Sequence, residues 1–308
     1  MKVLITGGLG FIGSNLAKAL VGKGHEVSVI DNLLLGVREN VSDIKDKIQV
    51  IIGDVLKKED LEKAGKSDII FHFAASSSSP MFQEDLKGSY RNNIEGFINI
   101  LEFARDSGTK KVIYASTSSI YGNNPTPLRE DDRVIPPNYY SVTKLDMEYT
   151  AHIFSKANNL ECIGLRFMSV YGPGEKSKGK FANLASQFLW EMMEGKRPVL
   201  YGDGTQRRDF TNVDDIVQAN ILAMESEKKF GSEIFNIGRY EDYSLIELVD
   251  VLNKVLGANI KPEFIPNPVK ENYIYTQLGD ITKIKEQLGY EPKVSLEDGL
   301  KRLAKTRK

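Results

Sequence analysis

Almost at its start the chain runs Val3-Leu4-Ile5-Thr6 directly into Gly7-Gly8-Leu9-Gly10-Phe11-Ile12-Gly13, and a stretch of helical character follows from Ser14 to Gly22. A β-rich run, a glycine turn and a helix in immediate succession leave few choices of fold. Gly7 supplies the tight turn, Gly10 lets backbone approach a diphosphate, and Gly13 lets the helix pack closely. Anionic oxygens then meet the positive end of the helix. The pattern predicts a parallel α/β sheet with a nucleotide at its carboxyl edge.

The strands that follow extend this reading. Glu26 to Ile30 ends at Asp31, about twenty residues past the glycines, where a carboxylate accepts from both ribose hydroxyls and repels a 2′-phosphate. NAD is therefore expected rather than NADP; Arg38 nearby is either a weak counter-signal or a solvated loop charge. Ile48 to Ile52 leads into Gly53-Asp54-Val55, and Asp68 to Phe73 into Ala74-Ala75, both at the ligand-binding edge. Asp54 either reaches the adenine amino group or caps the helix after Leu56. Ala74 and Ala75 leave room for a cofactor, and Ser76 to Pro80 reads as a polar loop. Asn92 to Arg105 reads as an amphipathic helix with Ile94, Phe97, Ile98, Leu101 and Phe103 in the core.

A candidate acid–base group comes next. After Pro136-Pro137 a helix is expected from Asn138 to Asn158, a stretch without further Pro or any Gly. Tyr140 and Lys144 share one face of it. An ammonium beside a phenol brings the phenol's pKa of about 10 down towards working pH, giving a general base or, with the proton on, a general acid. Such a pair alone is common on exposed helices; the nucleotide signal upstream gives it meaning. The strand Lys111 to Ala115 ends in Ser116-Thr117-Ser118-Ser119, and Thr117 becomes the third catalytic candidate. The strand Glu161 to Phe167 leads to Ser169 and the turn Tyr171 to Gly174.

Beyond this point the strand–helix alternation loosens. Helices are expected at Phe181 to Met193, from Val213-Asp214-Asp215 to Met224, and at Leu245 to Leu256, the last capped by Ser244 with Glu247. Val199 to Tyr201 and Ile234 to Ile237 read as strands. Pro262, Pro266 and Pro268 mark a linker, Ile281 to Leu288 a last short helix, and Lys301 to Lys308 a frayed, solvated end. At 308 residues the chain can hold a large α/β domain and a smaller one. The expected division is 1–168, joined by part of 205–240, and 169–308. A net charge of −1 argues against a basic field for nucleic acid or membrane. The single cysteine, Cys162, sits in an apolar run and fits a reducing compartment. His25, His72 and His152 show no metal-ligand spacing, so no metal is expected. With no secretory signal pattern and no apolar run of about 18 residues, a cytoplasmic protein is expected.

With TGGLGFIG, Asp31, GDV, HFAA, STSSIYG and YSVTK in order, the chain resembles the extended short-chain dehydrogenase/reductase family over nearly its whole length. LRFMSVYGPG and YGDGTQRRDFTNVDD are similar to segments of its nucleotide-sugar enzymes. The opening MKVLITGGLGFIGSNLAKAL, the VIDNLLLG loop and FNIG look like the UDP-glucose (UDP-galactose) 4-epimerase branch. The resemblance implies a Rossmann-type doubly wound parallel sheet with a smaller C-terminal α/β substrate-binding domain. It implies NAD held by Gly7, Gly10, Phe11, Ile12, Asp31, Asn32, Asp54 and Val55, and further by Phe73, Ala74, Ala75, Asn93, Ser116, Tyr140, Lys144 and Phe167. Tyr140 would take the proton of the sugar 4-hydroxyl while hydride passes from C4 to NAD, and the 4-ketose would turn over and take it back on its other face. Thr117 would relay the proton, and Lys144 would hold the nicotinamide ribose and lower the Tyr140 pKa. Thr117, Ser118, Tyr140, Ser169, Asn183, Leu184, Tyr201, Arg208 and Tyr275 would bind the nucleotide sugar. Arg208 would face its phosphates through a forked guanidinium, or else pair with Asp209 at the surface. The resemblance also implies a homodimer that pairs the helix after Tyr140 with helix Asn92 to Arg105.

Some positions depart from that pattern. Ser118 and Ser119 stand where the 4,6-dehydratase branch carries acids, so dehydration is not expected. Ser169 replaces the usual Asn of the epimerases. YIYTQLGD replaces an arginine-bearing segment, with Tyr275 near the expected arginine, and resembles ADP-heptose 6-epimerases and N-acetylated-hexosamine epimerases. Two other readings stay open: another sugar-nucleotide enzyme of this fold (a reductase, decarboxylase or heptose epimerase), or a silent NAD sensor or scaffold.

Overall fold

Val3 to Ile5, Ile69 to Phe71, Val112 to Tyr114 and Ile163 to Leu165 are apolar runs without a polar break, the pattern of strands covered on both faces. The computed structural model, which describes residues 1–268 and 273–306, puts all four at the centre of one sheet. The first half comprises β1 (Lys2–Thr6), α1 (Phe11–Gly22), β2 (Glu26–Asp31), β3 (Ile48–Ile52), α2 (Lys58–Glu62), β4 (Ile69–His72), α3 (Ser79–Glu84), α4 (Leu86–Ser107), β5 (Lys111–Thr117), α5 (Tyr139–Asn158) and β6 (Glu161–Phe167). There follow β7 (Ser169–Tyr171), α6 (Leu184–Met193), β8 (Val199–Tyr201), β9 (Arg207–Arg208), β10 (Phe210–Asn212), α7 (Val213–Glu225) and β11 (Ser232–Ile237). The chain ends with β12 (Tyr243–Ser244), α8 (Leu245–Leu256), β13 (Glu263–Ile265), β14 (Thr276–Gln277), α9 (Thr282–Leu288) and α10 (Leu296–Lys305).

The main sheet has seven parallel strands in the order β11-β6-β5-β4-β1-β2-β3. Leu16, Leu20 and Ile216 of α1 and α7 cover one face, and Phe97, Leu101 and Met147 of α4 and α5 the other. This is the expected Rossmann-type sheet. Strand order reverses between β1 and β4, which opens a crevice at their carboxyl ends. Short paired strands β7 with β10, β8 with β13, and β12-β9-β14 make up the rest, around a second core of Leu189, Leu200, Leu248 and Leu300. No helix among the described residues is long and apolar enough to cross a membrane.

Several elements differ from the sequence expectation, each for a local reason. Helix α1 begins at Phe11 instead of Ser14, with Gly10 as its N-cap, so Gly13 lies inside the first turn. Ser79 and Pro80 open α3 instead of closing a loop, since proline suits a first helical turn. Helix α4 starts six residues early because Asp85 caps it, accepting from the Gly88 N–H, and Ile98 faces outward at 40% exposure. The prolines after residue 261 flank β13, which pairs with β8. Helix α9 is not the last: α10 follows, and its Leu296, Leu300 and Leu303 stripe docks on the second core. Lys301 to Lys305 is therefore helical and packed, while the last two residues of the expected frayed end lie outside the described residues.

Gly7 shows how tightly the crevice is built. Its φ is +66°, and an added Cβ would lie 2.7 Å from the Ala74 amide nitrogen. Gly7→Ala should therefore lower the unfolding free energy of the cofactor-free protein by about 2 kcal/mol, from left-handed strain and backbone contact. Urea unfolding measures this; an unchanged midpoint would contradict the packing described.

Candidate active site

The glycine turn is held from two sides. The Gly7 N–H donates to the Ile30 carbonyl at 2.8 Å, and a Cβ on Gly13 would lie 2.3 Å from the Gly7 carbonyl oxygen. Asp31, at the tip of β2, accepts from the Leu9 N–H at 3.0 Å and the Leu33 N–H at 2.8 Å. Burial pushes its carboxyl pKa up, and those backbone donors, with Gly10, pull it back. The start of α1 has no side-chain cap, which leaves its first-turn N–H groups to an anion. A cradle of Cβ-less residues, an uncapped helix start and a carboxylate at the second strand tip suit a dinucleotide.

A cavity of about 390 Å³ runs from this turn to the tips of β5 and β6. Gly7, Gly10, Phe11, Ile12, Asp31, Asn32 and Val55 line one end of it. Phe73, Ala74, Ala75, Ser116, Thr117, Ser118, Tyr140, Lys144, Phe167, Ser169 and Asn183 line the remainder. Residues far apart in sequence are thus brought together.

The acid–base end depends on how α5 begins. Asn138 and Ser141 form a capping box, with the Ser141 N–H donating to Asn138 Oδ1 at 3.0 Å. From that start Tyr140 and Lys144 share one face, as the four-residue spacing predicts, and that face meets the tip of β5. Lys144 is only 2% exposed, and its Nζ donates to the Ala115 carbonyl at 2.8 Å. Burial pulls its pKa down to about 7, against an upward pull from Glu148. Tyr140 is half-buried, its ring 6.0 Å from that of Phe82. Burial raises the phenol's pKa, opposed by its hydrogen bond with Thr117. Lys144 is expected to lower the phenol's pKa together with the charge of the oxidised cofactor; in the protein alone burial is the larger effect. The ammonium is engaged by the Ala115 carbonyl, and desolvation of the phenolate dominates. Thr117 also accepts from the Ser119 N–H at 3.2 Å, and Ser116 Oγ donates to Glu148 at 2.5 Å.

Other expected residues stand outside the cavity. Asp54 does not cap α2, whose N-cap is Lys57; its Oδ1 accepts from the Leu56 N–H at 2.9 Å in a local turn. Asn93 is fully buried and clamps Ser76 to Thr143, while its neighbour Asn92 lines the cavity. Leu184 packs against the second core. Tyr201, Arg208 and Tyr275 gather around Tyr273, with ring centroids 6.1 and 5.4 Å from it and the guanidinium 5.7 Å away. Arg208 is not paired with Asp209. Its Nη1 donates to the Arg207 carbonyl at 2.8 Å and its Nη2 to the Ile274 carbonyl at 2.6 Å. Asp209 is fully buried, accepts from the Arg239 and Tyr240 N–H groups, and has its pKa raised by burial to about 6.

Several cavity residues were not singled out in the sequence, among them Asn92, Lys178 and Gln277. Lys178 Nζ lies 5.9 Å over the Phe11 ring, and Gln277 Nε2 donates to Ser118 Oγ at 3.0 Å. Gln277 could have been found from period two, since it is two residues past Tyr275 in an extended segment. Lys178 carried no local signal.

The geometry agrees with likeness to known proteins. The sequence profile of the NAD-dependent epimerase/dehydratase family matches residues 3–238. A UDP-N-acetyl-α-D-glucosaminuronate decarboxylase of Bacillus cytotoxicus is 34% identical, with 97% of this chain and 95% of that protein covered. A UDP-glucose 4-epimerase of Mycolicibacterium smegmatis is 31% identical, with 97% and 96% covered. The crystal structure of a UDP-glucose 4-epimerase of Thermotoga maritima, with UDP-glucose, superposes with a TM-score of 0.92 at 33% identity, covering 99% of this chain and 98% of that one.

The burial of Lys144 has a cost that pH exposes. Below pH 7 it is protonated in both folded and unfolded chains, so the penalty is fully present. From about 7 to 10.5 the folded chain sheds the proton while the unfolded chain keeps it, so stability rises with pH. Cofactor-free Lys144→Met should therefore exceed the parent in unfolding free energy at about pH 6, with the gap narrowing towards about pH 10. A gap that does not change with pH, in urea unfolding, would contradict this.

Proposed function

The chain belongs to the NAD-dependent epimerase/dehydratase family of extended short-chain dehydrogenases/reductases, and on that footing we propose that it epimerises C4 of a nucleotide-activated hexose of the UDP-glucose/UDP-galactose type. One observation carries this reading: Thr117, Tyr140 and Lys144 line the same cavity as the glycine turn and Asp31. Residues 1–168 with part of 205–240 form the dinucleotide side, and 169–308 mainly the sugar-nucleotide side. Bound NAD supplies the oxidation and re-reduction of the sugar C4 carbinol.

The chain's own residues hold and move the proton. Tyr140 accepts it from the 4-hydroxyl as that carbon becomes a ketone and returns it after the sugar has turned over. Thr117, hydrogen-bonded to Tyr140, orients the reacting oxygen. Lys144, braced by the Ala115 carbonyl, would hold the cofactor's ribose hydroxyls. Burial raises the phenol's pKa in the protein alone, so a positive charge in the cofactor site would favour Tyr140 as a base. Ser118 and Ser119 offer no acid, so loss of water is not expected. Arg208 meets the substrate diphosphate only after releasing the Ile274 and Tyr275 carbonyls.

A homodimer is part of the proposal. Val142, Tyr149 and Ile153 on α5 are 40%, 63% and 68% exposed, and Ile98 on α4 is 40% exposed. Two copies pairing these helices would cover them. A second reading, decarboxylation of a uronic-acid nucleotide, is favoured by the Bacillus cytotoxicus relative. Carbon dioxide release from a UDP-uronate, with no 4-epimer formed, would select it.

Purified protein loaded with NAD should interconvert UDP-glucose and UDP-galactose. Tyr140→Phe should lower kcat by about 10²- to 10⁴-fold with an unchanged melting temperature. Undiminished turnover would remove Tyr140 from the mechanism, and a screen of UDP-, dTDP-, GDP- and ADP-sugars identifies the preferred nucleotide.

A further inference from the structure

Behind the cleft lies a buried polar chain to which the mechanism above assigns no part. Glu148 stands one turn past Lys144 on the same face of α5. Its carboxylate accepts from Arg166 Nε at 2.9 Å and Nη2 at 2.7 Å, as well as from Ser116 Oγ. Arg166 Nη1 donates to the Tyr121 hydroxyl at 2.7 Å, and that hydroxyl donates to Asn236 Oδ1 at 2.7 Å. The chain thus spans α5, β5, β6 and β11. Glu148 and Arg166 are 7% and 5% exposed. A buried ion pair contributes little net stability compared with well-packed apolar residues, so stability alone accounts poorly for this one.

Its position relative to Lys144 supplies another account. Glu148 is faced by Lys144 on its own helix, by Tyr114 and Ser116 from β5 and by Arg166 from β6, and Cys162 of β6 stands beside Tyr114. Lys144 is faced by Tyr140 and Glu148 on α5 and by His72 from β4. Burial pushes the Cys162 thiol up to about 12, raises the Tyr114 phenol further and holds His72 uncharged, its pKa down at about 3. Among the described residues, Glu148 is then the group whose charge supports the Lys144 ammonium.

We propose that Glu148 is a positioning residue of the acid–base centre: forked to Arg166 and bonded by Ser116, it fixes α5 against the tips of β5 and β6 and keeps Lys144 cationic beside Tyr140. This rests on the acid–base reading of Tyr140 and Lys144. Without the carboxylate, Lys144 gives up its proton at lower pH, so the loss appears first on the alkaline side.

The test uses two variants, because Glu148→Gln leaves the Arg166 charge buried and unpaired. The double variant Glu148→Gln/Arg166→Met removes both charges and keeps side-chain volume. NAD affinity by calorimetry and kcat/KM are followed from about pH 6 to 9 in full-length protein. In each folded variant both quantities should be near parental at the acid end. Their alkaline fall should move about one pH unit lower, a loss of about tenfold on that limb. A parental pH profile in the double variant, or a loss uniform across pH, would overturn the proposal. A shifted NAD-affinity profile without turnover of any sugar nucleotide would support it while refuting the epimerase reading.

Discussion

A primary amine buried to 2% exposure, pointed at the Ala115 carbonyl, is the constraint around which this site is arranged. Burying an ammonium is unfavourable unless hydrogen bonds and an opposite charge compensate it. Ala115 provides the first and Glu148 the second, and both requirements bind α5 to the carboxyl ends of β5 and β6. Once α5 is fixed there, Tyr140 has no other place than the cavity wall beside Thr117. The parallel sheet serves the same end from the opposite side. Its strand order reverses next to Gly7, so the glycine turn and the phenol share one crevice.

This arrangement separates two effects that a helical Tyr–Lys pair invites one to merge. Proximity to Lys144 does not by itself make the phenol acidic, since burial raises its pKa and the ammonium already has a carbonyl partner. Desolvation and charge therefore oppose each other. In the proposed mechanism a second positive charge, arriving with the oxidised cofactor, tips the balance. Acid–base competence would then follow cofactor occupancy, and an empty protein would hold its tyrosine protonated.

Much of this was legible in the chain because the signals are local. The glycine spacing, Asp31 at a strand end, and Tyr140 four residues before Lys144 each depend on one turn or one helix period. The Ser244–Glu247 box was equally readable, and both of its hydrogen bonds are present. What the chain did not show depends on distant partners. Arg208 is held by carbonyls of residues 274 and 275, which no local pattern foretells. Asn93, named from the resemblance, holds Ser76 and Thr143 behind the cleft while its neighbour Asn92 lines it, and Asp85, which caps α4, lies before the stretch read as helix. Glu148 lies one helical turn from Lys144, yet its meaning comes from Arg166 on a different strand.

The phenol's own titration tests the central claim most directly. Ultraviolet difference titration of the parent against Tyr140→Phe isolates the Tyr140 phenolate from the other tyrosines, with and without saturating NAD. The account predicts a pKa above the ordinary value of about 10 in the empty protein and a clear fall below it when oxidised NAD is bound. A Tyr140 pKa that is already low without NAD, or that does not move when NAD binds, would contradict it.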